Sequence, residues 1–297
     1  GELLREIDVD SSISLLKCPP ADILSHSVSK INKSDLNETF MRDLVFVGLI
    51  NGNVLVYNIF SGELLYTIEG HNEAVTSLLT SPKQYIITGS RDGSIRRFHY
   101  PTKKCVNVYY TSDSCRSASF LKEKNLLCVS GHLDNKAKII NLEDGTIITT
   151  IHHQNSIRCS SFTTINQKLC LLTASWDRTI NEWEIETGKK IRSFELPGRV
   201  SELLIRNGLL YAGFYNRYKM SGFYIADLSS GDVIFTKSVH FPGNGLGRAI
   251  RLLPLDTTFF CGADDGIIFQ WDLKRKYLTN RIACGSPVHS LHAQEEK

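Results

Sequence analysis

The sequence predicts an all-β fold assembled from repeated four-stranded sheets. Three observations carry that expectation. A turn signal returns about every 42 residues, and a second turn signal sits inside each period. Between them lie short alternating apolar runs with almost no helical periodicity.

The first signal is a polar residue followed a few positions later by glycine: NIFSGE at 58–63, NLEDGT at 141–146, EIETGK at 184–189 and DLSSGD at 227–232. The glycines are Gly62, Gly145, Gly188 and Gly231, separated by 83, 43 and 43 residues. The first gap is two periods, with Lys103 standing where the missing glycine would fall. Lys276 continues the series 45 residues beyond Gly231.

The second signal reads GLINGNVLVYN, GSRDGSIRRFH, GHLDNKAKIIN, ASWDRTINEWE and GADDGIIFQWD, with turn residues Asn51, Asp92, Asp134, Asp177 and Asp265. NG and DG pairs supply the positive φ that tight hairpins require. Each period then holds four short apolar runs. In the second these are AVTSLLT at 74–80, QYIITGS at 84–90, SIRRFHY at 94–100 and KCVNVYY at 104–110. Four strands per period place the sheets at 12–69, 74–110, 115–151, 156–194, 199–238 and 248–282. The first is too long, and its polar, proline-containing stretch at 19–42 is expected to be a surface insertion with a short helix near 34–42.

A period of about 42 with four strands resembles the WD40 repeat. Gly70-His71 is its GH pair, Trp271-Asp272 its WD pair and Trp183-Glu184 a near match. The resemblance covers essentially the whole chain and implies a β-propeller. GELLREI at 1–7 copies GELLYTI at 62–68, and PVHSLHA at 287–293 copies a first strand. The expectation is therefore one propeller domain over 1–297, seven-bladed, with the seventh blade incomplete. The alternative is six full blades with irregular terminal strands. Truncation, omission or supply by a partner would each account for the missing middle strands, and a larger parent protein with flanking domains is expected.

The resemblance also implies a buried polar network per blade, in which His, Ser or Thr, Asp and Trp are joined by hydrogen bonds. His153, Ser175, Asp177 and Trp183 match at all four places. His71, Ser90 and Asp92 match three, with Phe98 replacing Trp. These groupings are structural rather than catalytic triads.

Composition excludes several function classes. Lys plus Arg number 34 against 31 for Asp plus Glu, a net charge of +3, so bulk charge does not drive polyanion binding. No apolar run approaches a bilayer's thickness and no signal peptide opens the sequence, so a soluble cytoplasmic or nuclear chain is expected. The eight cysteines form no CxxC pair and mostly sit in apolar runs, as reduced core thiols do. No nucleophile elbow, metalloprotease, P-loop or dinucleotide motif is present, so neither enzyme activity, cofactor nor metal is expected.

The positive signal is a set of cations expected at the propeller's top face. The residue after the first apolar position of the innermost strand is Thr76, Arg116, Arg158, Ser201 and Arg251, with His289 in the partial blade. The residue before the turn acid is Arg91, Leu133, Trp176 or Asp264, and the fifth period offers Tyr215, Arg217, Tyr218 and Lys219. Arginine forks suit carboxylate and phosphate, and Tyr and Trp supply anchor area. Arg91, Arg116, Arg158 and Arg251 stand at the places where the F-box WD40 receptors carry phosphopeptide-reading arginines, although no F-box is present. The expected function is a non-catalytic protein-interaction scaffold or substrate-recruitment module that takes acidic or phosphorylated peptides through Arg91, Arg116, Arg158, Arg251, Trp176, Tyr215 and Arg217. The alternative is nucleic-acid or phosphoinositide binding by the same cations. No FRRG lipid signature and no basic stripe with interleaved aromatics supports it.

Overall fold

The computed structural model describes residues 13–17, 44–58, 61–81, 84–111, 113–131, 133–216, 220–240, 251–255, 257–262, 266–284 and 288. The expected insertion at 19–42 lies outside them. So do the terminal segments of the expected seventh blade, apart from Val288.

Among the described residues, 24 strands form six four-stranded antiparallel sheets, and no α-helix occurs. The first comprises β1 (Ile13–Lys17), β2 (Leu44–Leu49), β3 (Val54–Asn58) and β4 (Leu64–Ile68). The second comprises β5 (Val75–Ser81), β6 (Tyr85–Ser90), β7 (Ser94–His99) and β8 (Lys104–Tyr110). The third comprises β9 (Cys115–Leu121), β10 (Leu126–Gly131), β11 (Lys136–Asn141) and β12 (Ile147–His152). The fourth comprises β13 (Ile157–Ile165), β14 (Lys168–Ser175), β15 (Thr179–Glu184) and β16 (Lys190–Glu195). The fifth comprises β17 (Arg199–Arg206), β18 (Leu209–Tyr215), β19 (Met220–Asp227) and β20 (Val233–His240). The sixth comprises β21 (Arg251–Pro254), β22 (Thr258–Gly262), β23 (Ile267–Asp272) and β24 (Tyr277–Ala283). The chain divides into two compact units, Gly1–Asp134 with Asn141–Gly145, and Asn135–Ile140 with Thr146–Lys297.

The strand order explains the apolar pattern. Second strands such as β2 and β10 are buried at every position, so they read LVFVGL and LLCVSG. Fourth strands such as β8 and β24 are largely exposed and read KCVNVYY and YLTNRIA. In the first unit one core joins Leu44, Phe46 and Val56 of the first sheet to Leu78, Ile86 and Phe98 of the second. In the second unit Leu172, Ile180 and Phe194 pack with Leu203, Leu210 and Phe214, and Tyr211 and Phe223 pack with Phe259 and Trp271. Each fully buried side chain of this size contributes roughly 1.5–3 kcal/mol.

Two local devices repeat. The turn between third and fourth strands carries a left-handed residue: Gly62 (φ 67°), Lys103 (57°), Gly145 (77°), Gly188 (68°), Gly231 (86°) and Lys276 (58°). Both lysines thus take the glycine's conformation at the places the period assigned them. Several of these turns lean on the preceding sheet. The Lys103 ammonium sits 4.8 Å from the Tyr66 ring centroid, and Lys276 Nζ donates to Ile234 O at 2.6 Å.

The second device is a β-bulge near the start of the first strand. The register skips Thr76, Arg116, Arg158 and Ser201 in sheets two to five. A bulge turns its extra side chain out of the pleat. In sheet six Arg251 itself pairs with Gly262. Val288 is buried against Gly262, much as Cys115 of β9 sits against Gly89 of β6.

Candidate interaction site

The polar networks hold the turns that any rim residue is mounted on. His153 Nδ1 lies 2.8 Å from Asp177 Oδ2, and His153 Nε2 lies 2.7 Å from Thr173 Oγ1, which accepts the Trp183 indole N–H at 2.6 Å. One proton assignment satisfies the chain: indole to threonine, threonine to Nε2, and Nδ1–H to the carboxylate. In the second sheet His71 Nδ1 is 3.0 Å from Asp92 Oδ2 and Nε2 is 2.8 Å from Thr88 Oγ1.

The serines do a different task from the one the resemblance implied. Ser175 Oγ donates to Asn155 O at 2.9 Å and accepts Asp177 N–H, and Ser90 does the same with Glu73 O and Asp92 N–H. They tie the approach loop to the turn, while Thr88 and Thr173 meet the histidines. The signal for these threonines was present in TGS and TAS, since positions two apart share a strand face.

Electrostatics follow from the packing. Burial lowers the pKa of His71, against the opposing pull of Asp92. Burial also pushes the Asp92 carboxyl up, but hydrogen bonds from Ser94 Oγ, two backbone N–H groups and the His71 ring outweigh it and hold the pKa at about 2. Asp177 is held below the usual carboxylate range against its burial, through His153 and Thr179. The third sheet inverts the plan: Asp113 of the approach loop accepts the backbone N–H groups of Leu133 and Asp134.

In the first unit Arg91 is exposed in the turn after β6, anchored by its N–H on Ala74 O, and Arg116 is half-buried at the β9 bulge. Thr76 turns inward, its hydroxyl donating to Cys115 O at 2.7 Å. In the second unit the Arg158 guanidinium carbon lies 4.9 Å from the Trp176 ring centroid. Arg199, absent from the sequence reading, places its guanidinium carbon 5.1 Å from the same centroid. Tyr215 pairs in register with Arg199. Arg158, Trp176, Arg199 and Tyr215 are all half-buried. Arg199 was missed because it precedes the first apolar residue of its strand, Val200, whereas the reading took the residue after it.

The backbone of Arg251 begins β21, but its side chain lies outside the described residues, as do Arg217, Tyr218, Lys219, Asp264 and His289. Among the described residues no group of three or more His, Cys, Asp or Glu side chains is arranged to hold a metal. Among the described residues no helix is long and apolar enough to cross a membrane.

Two segments, 62–99 and 145–184, match the model of the WD domain, G-beta repeat. They are the two stretches that contain a complete His–Thr–Asp network. Among curated proteins, the ribosome biogenesis protein WDR12 homolog of Oryza sativa subsp. japonica is 26% identical over 49% of this chain and 42% of its own length. Pre-mRNA-processing factor 19 of Bos taurus is 24% identical over 50% of this chain and 30% of its own. Protein tipD of Dictyostelium discoideum is 26% identical over 78% of this chain and 39% of its own. The chain thus spans less than half the length of each of these relatives. The two matched segments are WD40 repeats, and six sheets built on one four-stranded plan are consistent with a WD40-type fold.

Proposed function

We propose that the chain is a non-catalytic interaction module and that Arg158, Trp176, Arg199 and Tyr215 grip an acidic or phosphorylated segment of a partner protein. The observation that carries this reading is the placing of two guanidinium groups around one indole, on first strands that four-stranded sheets hold rigid. The two guanidinium carbons lie within 10.0 Å of each other, the sum of their distances to the shared centroid. Each guanidinium that bonds a carboxylate or phosphate contributes roughly 1.5–3 kcal/mol. The half-buried ring system supplies an apolar anchor beside them. A preorganised rim loses little entropy on binding.

Arg91 and Arg116 of the first unit are proposed separately as contacts for acidic residues, while Arg217 and the Arg251 side chain lie outside the described residues and remain expectations from the sequence. The names of the relatives speak of ribosome biogenesis, pre-mRNA processing and, for a fission-yeast protein, poly(A)+ RNA export. These names favour a partner from ribosome biogenesis or RNA processing. Those names also favour direct RNA contact as a second reading.

Anisotropy titrations of acidic and phosphorylated peptides test the proposal. The Arg158→Ala/Arg199→Ala variant should fold normally and bind at least tenfold more weakly. Unchanged affinity overturns the site. RNA contact predicts instead that log K falls with log salt at about 0.7 per neutralised phosphate of a single strand.

A further inference from the structure

A second polar site lies in the second unit, and its lining includes none of Arg158, Trp176, Arg199 and Tyr215. A cavity of about 650 Å³ opens beside the fourth sheet and the turn between β19 and β20, a volume typical of small-molecule sites. Its floor is built. Arg192 donates from Nε (3.0 Å) and Nη2 (2.7 Å) to Glu182 Oε2, and from Nη2 to Leu228 O at 2.5 Å. Glu182 is only 4% exposed, so this pair fixes the floor and neutralises itself. Asn166 Nδ2 donates to Ser229 O at 3.4 Å and closes the far side.

The wall carries more positive than negative charge. Lys168, Lys189 and Lys190 line it, all exposed, and no ion pair among the described residues engages them. The opposing charge is Glu184, which accepts the Thr187 hydroxyl at 2.5 Å. With Arg192 and Glu182 paired, the remaining charged residues of the lining are three lysines and Glu184. A ligand with clustered negative charge complements that excess of positive charge. Ile191, 52% exposed, adds an apolar lip that suits a ring.

We propose that this cavity binds a small molecule or headgroup carrying two or more phosphates, held by Lys168, Lys189 and Lys190. Its size and cationic lining fit such a compact group better than an extended peptide. The ligand's source is either soluble, such as a nucleoside triphosphate or inositol polyphosphate, or the headgroup of a phosphoinositide.

Calorimetric titration of the chain with ATP and with inositol hexakisphosphate, and flotation with vesicles containing 5% phosphatidylinositol bisphosphate in phosphatidylcholine, distinguish the sources. Binding in either arm should fall at least tenfold in Lys168→Ala/Lys190→Ala, whose surface lysines leave the fold intact. It should tighten in Glu184→Gln and stay unchanged in Arg158→Ala/Arg199→Ala. The proposal is overturned if no arm shows binding, if the lysine variant binds as well as the parent, or if the arginine variant abolishes binding.

Discussion

Trp183 donates its indole N–H to Thr173 Oγ1 at 2.6 Å, and the same oxygen meets His153 Nε2. Threonine at that place is the joint between the third strand and the approach loop. The sixth sheet carries Trp271 at the matching distance from its turn, but Cys261 replaces the threonine, and Trp271 Nε1 is buried with no hydrogen-bond partner among the described residues.

Cys261→Thr should therefore stabilise the protein by about 1 kcal/mol, since a buried donor gains an acceptor of similar size. Thr173→Val should lower stability by about 1–3 kcal/mol. Chemical denaturation of both variants measures the difference.

Asp177 gathers His153 Nδ1, the Gln154 and Thr179 backbone N–H groups and the Thr179 hydroxyl. Asp177→Ala orphans these partly buried donors and should cost about 1–3 kcal/mol. A neutral result in denaturant titration would remove the network from the account of stability.

The pH response has a definite sign. The folded pKa of Asp92 is lowered from 3.8 to about 2, so its stabilisation is full above the unfolded value and fades as pH falls from about 5 to 2. The shift corresponds to roughly 2–3 kcal/mol. His71 is also lowered, from 6.5, so the unfolded chain takes up its proton first and stability already falls below about pH 6.5. Thermal melts across pH 3–8 should show both losses on the acid side, and Asp92→Asn should flatten the lower one.

Arg178 adopts φ 74° where the corresponding turns use Gly52, Gly93 and Gly266. A left-handed non-glycine residue carries roughly 1–2 kcal/mol of strain. Arg178→Gly should raise stability by about 0.5–1 kcal/mol, the greater freedom of unfolded glycine offsetting part of the relief. A lower melting temperature would contradict this reading of the turn.

Much of the architecture was legible because turns and strand faces are set locally. The period placed Lys103 and Lys276 in glycine positions, and both have positive φ. The sheet boundaries agree with the strands to within a few residues. Side-chain partners were less legible. Ser175 and Thr173 share a face of β14, and only coordinates decide which one reaches the histidine. Arg199 escaped for a related reason. A bulge resets the alternation of side chains, so residues on either side of the first apolar position can reach the same ring.

The most direct test of the interaction site is a crystal structure of the chain with the tightest peptide from an acidic and phosphorylated peptide array. The account predicts the anionic group on the Arg158 and Arg199 guanidiniums, with apolar contact on Trp176. An array without binders, or a peptide seated away from these three side chains, would contradict it.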